Sequence, residues 1–170
     1  VYLFKTKNME SEHSEKLIAI REQMKAVEVD AYIVPHEDEH SSEYTAPPDQ
    51  RLEYISGFSG SAGTAIVTKD RAFLWVDTRY FVQGDKEAEK GWEVQKMGEP
   101  DVKNWPELMA EVLKEGEKFG YDPALTFQDG IKKMKSKLES QGIKLVSIKQ
   151  NLVDAVWDPK PELASNPIIV

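Results

Sequence analysis

The chain has 170 residues, of which 40% are apolar and 31% charged, the length and make-up of one ordinary globular domain. Its 30 acidic residues against 22 basic ones leave a net charge of −8, which repels phosphate backbones and anionic lipid, so neither nucleic acid nor a membrane surface is an expected partner. The lack of cysteine excludes disulfides and thiol catalysis within these residues, no apolar run approaches the ~18–20 residues of a membrane helix, and a soluble, cytoplasmic protein is expected.

From Ser11 onward, Leu17, Ile20, Met24 and Val27 recur every three or four positions among charged residues, which predicts an amphipathic helix capped by Ser11 or Ser14. Ala31-Tyr32-Ile33-Val34, closed by Pro35, reads as a buried strand. Residues 36–51 are polar, carry Pro47-Pro48 and read as mostly loop. Thr64–Val67 and Phe73–Val76 flank Lys69-Asp70-Arg71 and predict a β-hairpin. After Asp77 a helix through Tyr80, Phe81 and Ala88 is expected to end near Gly91, and Trp92–Met97 alternates as a strand. Trp105, Leu108, Met109 and Val112 are spaced as a helix ended by Gly116, and Phe119-Gly120-Tyr121 is a short strand before the Asp122-Pro123 turn. Ile131, Met134 and Leu138 mark a further helix, stopped by Gly142, and Ile143–Ile148 is the last strand. The lysines at 132, 133, 135 and 137 read as the solvated face of that helix.

Alternating helices and strands predict an α/β fold, a mixed β-sheet flanked by helices, mixed because of the hairpin. From Trp157 onward three prolines fall within nine residues, the composition of a linker. The expected organisation is an N-terminal extension over residues 1–10, one α/β domain over 11–157, and a linker over 158–170 toward a further domain.

Three stretches offer chemistry. His36-Glu37-Asp38-Glu39-His40 spells H-E-x-x-H, which on a helix sets two imidazoles on one face for zinc with the glutamate as base. It follows strand-ending Pro35, though, and no apolar stripe fixes a helix there. The one other histidine, His13, falls on a separate predicted helix, so the bland reading is a polar loop. Gly57, Gly60 and Gly63 punctuate Ser56–Ala65 just before a strand. No lysine follows to make a phosphate loop, and Ser61 stands where a nucleophile elbow needs its second glycine. A tight loop with positive φ or close backbone approach is the better reading. In Trp75-Val76-Asp77-Thr78-Arg79-Tyr80-Phe81 a strand runs out into Asp-Thr-Arg before a helix, a place where ligands bind in open α/β sheets. Arg79 offers a planar fork of donors for carboxylates and carbonyls, or else a surface ion pair beside a capping Asp77. Trp75 and Tyr80 read as core.

Taken together and in order, these stretches resemble the N-terminal domain of the Xaa-Pro aminopeptidases (aminopeptidase P) in the creatinase/prolidase superfamily. The likeness runs through Ala31–Pro35, His40-Ser41-Ser42-Glu43-Tyr44, Ser56-Gly57-Phe58 with Gly60–Ala65, Trp75–Phe81, and Asn151-Leu152-Val153-Asp154 with Trp157. The resemblance implies an enzyme that removes the N-terminal residue from peptides with proline at position two. Its catalytic C-terminal domain would hold two metal ions, usually manganese, on two Asp, one His and two Glu, with a bridging hydroxide attacking the scissile carbonyl. None of that ligand set can be placed in this chain, which by the resemblance has no catalytic residue and binds no metal itself. It would wall the substrate cleft, limit peptide length and support assembly, with the catalytic domain and a homodimer partner completing the protein. The arginine of the family's Asp-x-Arg-Tyr-Phe segment reaches the peptide, which nominates Arg79 as substrate-binding. Thr78 stands where the family pattern has glycine. An alternative is a catalytically dead relative of the same fold that recognises peptides or histones, and a second is a zinc protease through His36 and His40.

Overall fold

Ser14 opens the first helix. Its Oγ accepts from Leu17 N–H, and α1 (Glu15–Ala26) runs on from it in the computed structural model, which describes residues 14–126 and 128–164. Ser11, His13, the 1–10 extension and the end of the 158–170 segment lie outside the described residues. Leu17, Ile20 and Met24 are buried as their spacing predicts, but Val27 is the C-terminal capping position and stands 39% exposed. The helix has already turned away from the sheet there, as Val29 N–H donates to Met24 O.

Six strands form one sheet in the order β4-β3-β2-β1-β5-β6. They are β1 (Ala31–Pro35), β2 (Thr64–Thr68), β3 (Ala72–Val76), β4 (Glu93–Lys96), β5 (Lys118–Tyr121) and β6 (Lys144–Ser147). The β2–β3 hairpin and the β1–β2 pair are antiparallel, and the remaining pairs are parallel, so the sheet is mixed as expected. The other helices are α2 (Arg51–Ser56), α3 (Phe81–Glu87), α4 (Trp105–Val112) and α5 (Gln128–Glu139).

The two-residue period of the strands sorts the core. Ile33, Ile66, Phe73 and Trp75 join Met109 of α4, Leu113 at its C-terminal cap, and Met134 and Leu138 of α5. Tyr32, Val34, Val67 and Leu74 project the other way and join Leu17, Ile20 and Met24 of α1 and Leu52 and Ile55 of α2. Both faces being covered, β1 and β3 are apolar at nearly every position, which is why they read as unbroken apolar runs.

Three boundaries differ from the sequence reading, and one is that of α4, which stops at Val112 rather than at Gly116 because Leu113 turns to ψ 148. Helix α2 falls where a loop was giving way to the glycine-rich stretch, and at six residues it is too short to show a helical period. Helix α3 stops at Glu87 rather than near Gly91, because Ala88 turns to ψ 123 and Glu89 N–H donates to Ser56 O.

The register sets up the functional rim. Pro35 lies opposite Thr64 and Thr64 opposite Trp75, so the exits of β1 and β3 and the entry to β2 share one end of the sheet.

Candidate functional site at the strand-end rim

Three loops meet at that rim. The loop after β1 is held by Asp38, a buried carboxylate whose Oδ1 accepts from His40 N–H and Ser42 N–H at 2.9 Å each. Residues 36–40 therefore form a bend and a turn, not a helix, and Ser41 takes φ +59. This corrects the zinc reading of H-E-x-x-H. The His36 Nε2 lies 2.9 Å from the Glu43 carbonyl, and the His40 imidazole is exposed beside Glu39. The two rings do not share a helix face, and among the described residues no three His, Cys, Asp or Glu side chains are grouped as a metal would need.

The loop before β2 is the tight one expected. Gly57 ends α2 at φ +79, where an added Cβ would meet the Glu87 carbonyl oxygen at 2.6 Å. At Gly60 a Cβ would lie 2.2 Å from Cζ of the buried Phe58, so the backbone folds directly over that ring. Ser59 is pinned by Glu87, whose Oε2 accepts from Ser59 N–H and Ser59 Oγ–H at 2.9 Å and from Gln83 Nε2 at 3.0 Å. Burial alone would raise the Glu87 pKa, but these bonds outweigh it and lower it. Ser61 Oγ meets no base. It lies 2.8 Å from the Tyr80 hydroxyl, which leaves it a structural partner rather than a nucleophile.

The loop after β3 carries Asp77 and Arg79. Asp77 caps a single 3₁₀ turn (Thr78–Tyr80), its Oδ1 accepting from Arg79 N–H at 3.0 Å. Thr78 enters this turn without a positive φ, so the backbone does not require a glycine here. The Arg79 guanidinium donates to the same carboxylate, from Nε at 3.1 Å to Oδ1 and from Nη2 at 2.7 Å to Oδ2. Its Nη1 has no partner among the described residues, and the side chain is 58% exposed. The Arg79 hydrogen bond, opposed by burial and helped by the Arg79 N–H, lowers the Asp77 pKa. The Asp77 hydrogen bond and charge raise that of Arg79, with a smaller contribution from Glu43 across the rim.

Arg79 also lies over the Tyr80 ring, 5.0 Å from its centroid. Tyr80 is only half-buried. It packs edge-on to Phe58 at 5.5 Å and is tied at its hydroxyl to Ser61, so it is a support for the rim more than a core residue. Trp75 does belong to the core, and its Nε1 donates to Lys103 O. A depression of about 100 Å³ opens beside these groups, lined among others by His36, Glu43, Tyr44, Phe58 and Ser61, with Tyr44 82% exposed at its lip. The arrangement holds one guanidinium edge at a fixed place over Tyr80, whose partners Ser61 and Phe58 line the depression. It contains no activated nucleophile.

The spacing reading of a capping Asp77 beside an ion-paired Arg79 is what the structure contains, while nothing in the spacing pointed to the Ser61–Tyr80 bond or the Ser59–Gln83–Glu87 cluster. Gln83 and Glu87 are neighbours one turn apart on α3, but Ser61 and Tyr80 are 19 positions apart and Ser59 lies 24 and 28 from Gln83 and Glu87, so those contacts depend on the β2–β3 pairing that brings the two loops to one end of the sheet. The Asn151–Asp154 stretch is structural: Asn151 Nδ2 donates to Asp122, its Oδ1 accepts from Val153 N–H and Asp154 N–H, and Leu152 and Val153 enter the core.

A family model described as the creatinase/prolidase N-terminal domain matches residues 16–156. The chain is 50% identical over 157 residues, 91% of its length, to a protein named probable Xaa-Pro aminopeptidase P from Pyricularia oryzae, and 42% identical over 156 residues to one of the same name from Laccaria bicolor. It spans about a quarter of the length of these curated relatives, 25% and 24%. Among solved structures it is similar to X-prolyl aminopeptidase from Caenorhabditis elegans, described as a cytosolic enzyme with a di-nuclear active site, at TM-score 0.86 and 36% identity, covering 92% of this chain and 27% of that one. The fold alone is shared with the N-terminal domain of cytoplasmic peptidase PepQ from Mycobacterium tuberculosis, at TM-score 0.64 and 23% identity, covering 85% of this chain and all of that one.

Proposed function

The chain belongs to the creatinase/prolidase N-terminal domain family, and from that premise we propose that it is the non-catalytic N-terminal domain of a metal-dependent Xaa-Pro aminopeptidase. The carrying observation is the 50% identity across 91% of this chain to a protein of that name, of which the chain makes up only 25%. The reaction in this reading removes the first residue from peptides with proline second, and its centre lies in the rest of a longer protein.

The di-nuclear site described for the C. elegans enzyme supports two metal ions, here read as manganese, in that catalytic part. The described residues of this chain do not offer the donor set for such a pair, so no metal-dependent step is assigned to its side chains. Its own contribution is to wall the peptide groove and to place Arg79 against the substrate. The cytosolic description of the same relative supports a cytoplasmic protein, and no described helix is long and apolar enough to cross a membrane. Assembly of the full protein as a homodimer belongs to the same proposal.

The test is kinetic. In the full-length protein Arg79→Ala is expected to lower kcat/KM for Xaa-Pro peptides about tenfold, the scale of one charge-assisted hydrogen bond, with thermal stability unchanged. Unaltered kcat/KM removes Arg79 from the substrate site. Hydrolysis of an Xaa-Pro tripeptide by residues 14–164 alone overturns the whole reading.

A further inference from the structure

Arg79 does not stand as a bare cation. Asp77 occupies its Nε and Nη2, and Glu43 adds negative potential from the neighbouring loop. Counted over these three side chains the formal charge is −1, while the donor edge left over is Nη1, which has no partner among the described residues. Such a group still donates hydrogen bonds, but it attracts a second carboxylate poorly. A neutral amide carbonyl needs only the donor and brings no charge to be opposed. The chain's net charge of −8 adds to the discrimination.

Resting on the reading of Arg79 as the substrate contact, we propose that Asp77 determines specificity by charge-compensating Arg79, so that this rim receives a backbone carbonyl of a peptide that continues past it and disfavours a peptide whose C-terminal carboxylate ends there. Tyr80, fixed by Ser61 and Phe58, keeps the guanidinium from swinging away from Asp77 toward an incoming anion. Selection among peptide lengths at this rim would thus come from electrostatics as well as from the walls of the groove.

The experiment uses the full-length protein and Xaa-Pro peptides of three to six residues, each as free acid and as C-terminal amide. With the wild type, the amide is expected to exceed the acid in kcat/KM at the length whose terminus reaches Arg79, and the gap closes for longer peptides. Asp77→Asn keeps a cap acceptor but loses the charge, and should shrink that amide-to-acid ratio about fivefold, the scale of one exposed charge contact. Glu43→Gln, on an exposed loop, should shrink it in the same direction by less. Arg79→Ala should lower kcat/KM for amides and abolish the dependence of the ratio on residue 77. A ratio unmoved in both Asp77→Asn and Glu43→Gln, with Arg79→Ala still impaired, overturns this proposal and leaves the substrate role of Arg79 standing. An Arg79→Ala enzyme with wild-type kinetics removes that role instead. Equal melting temperatures separate either result from misfolding, and if Asp77→Asn fails to fold, the Glu43→Gln ratio decides.

Discussion

Asp38 is buried in the turn after β1, and its charge is matched by donors of the backbone itself. Its pKa is lowered, first by the Ser42 N–H, with burial opposing and the Ser42 hydroxyl and His40 N–H adding to it. A carboxyl whose folded pKa is depressed contributes stability that is fully present above its unfolded value of about 3.9 and is lost as pH falls through the lower folded value. Asp38→Asn keeps an acceptor for both N–H groups without the charge. Urea melts from pH 6 to pH 3 are therefore expected to show a smaller acid loss for Asp38→Asn than for the wild type, and parallel losses would refute this role. The same residue explains a failure of letters to predict chemistry. Within H-E-x-x-H, Asp38 bends the backbone that a zinc motif needs to be helical, and nothing in the spacing of the histidines reveals it.

At the scale of elements, α4 shows how a short sequence sets its own limits. Asn104 is extended at φ −64, ψ 157, its Oδ1 accepts from Glu107 N–H at 3.1 Å, and Pro106 falls in the first turn, where no N–H is missed. Asn104→Ala should cost about 1 kcal/mol in a denaturant melt, and a loss under a few tenths would mean the cap is idle. The longer elements were legible in the sequence because burial forces a period on them. That holds for Leu17, Ile20 and Met24 on α1, and for the apolar runs of β1, β2 and β3 on both sheet faces. Helix α2 was not legible, since Leu52 and Ile55 are too few to define a period. The rim was half legible. The capped turn and the Asp77–Arg79 pair follow from a strand that runs out before a helix, and only the family resemblance nominates Arg79 for a substrate, whereas Tyr80's partnership with Ser61 depends on a pairing register that single-strand patterns do not encode.

For the molecule as a whole, the segment after β6 is fastened back across α2. Arg51 makes a two-pronged bond to Asp154, from Nε at 2.8 Å and Nη2 at 3.0 Å, and Tyr54 donates to Val156 O at 2.8 Å. Trp157 stacks on Tyr54 with centroids 4.6 Å apart, and Lys160 returns to Asp154 at 2.8 Å. Trp157→Ala is expected to lower unfolding free energy by about 2 kcal/mol, from lost area and lost stacking, without altering the helix and strand content seen by circular dichroism. An unchanged denaturation midpoint would show that the stack contributes nothing. The proline-rich composition past Trp157 marked a change of character there, but the clamp itself joins positions about a hundred residues apart and leaves no local signature.

That clamp makes a handle of the stretch ending at Lys160. The fastening ends on Arg51 and Tyr54, and Leu52 between them in the chain shares an apolar cluster with Phe58, the ring on which Tyr80 leans. The fastening and the rim therefore rest on one continuous set of packed side chains, so a cavity cut at Leu52 or Phe58 would loosen both.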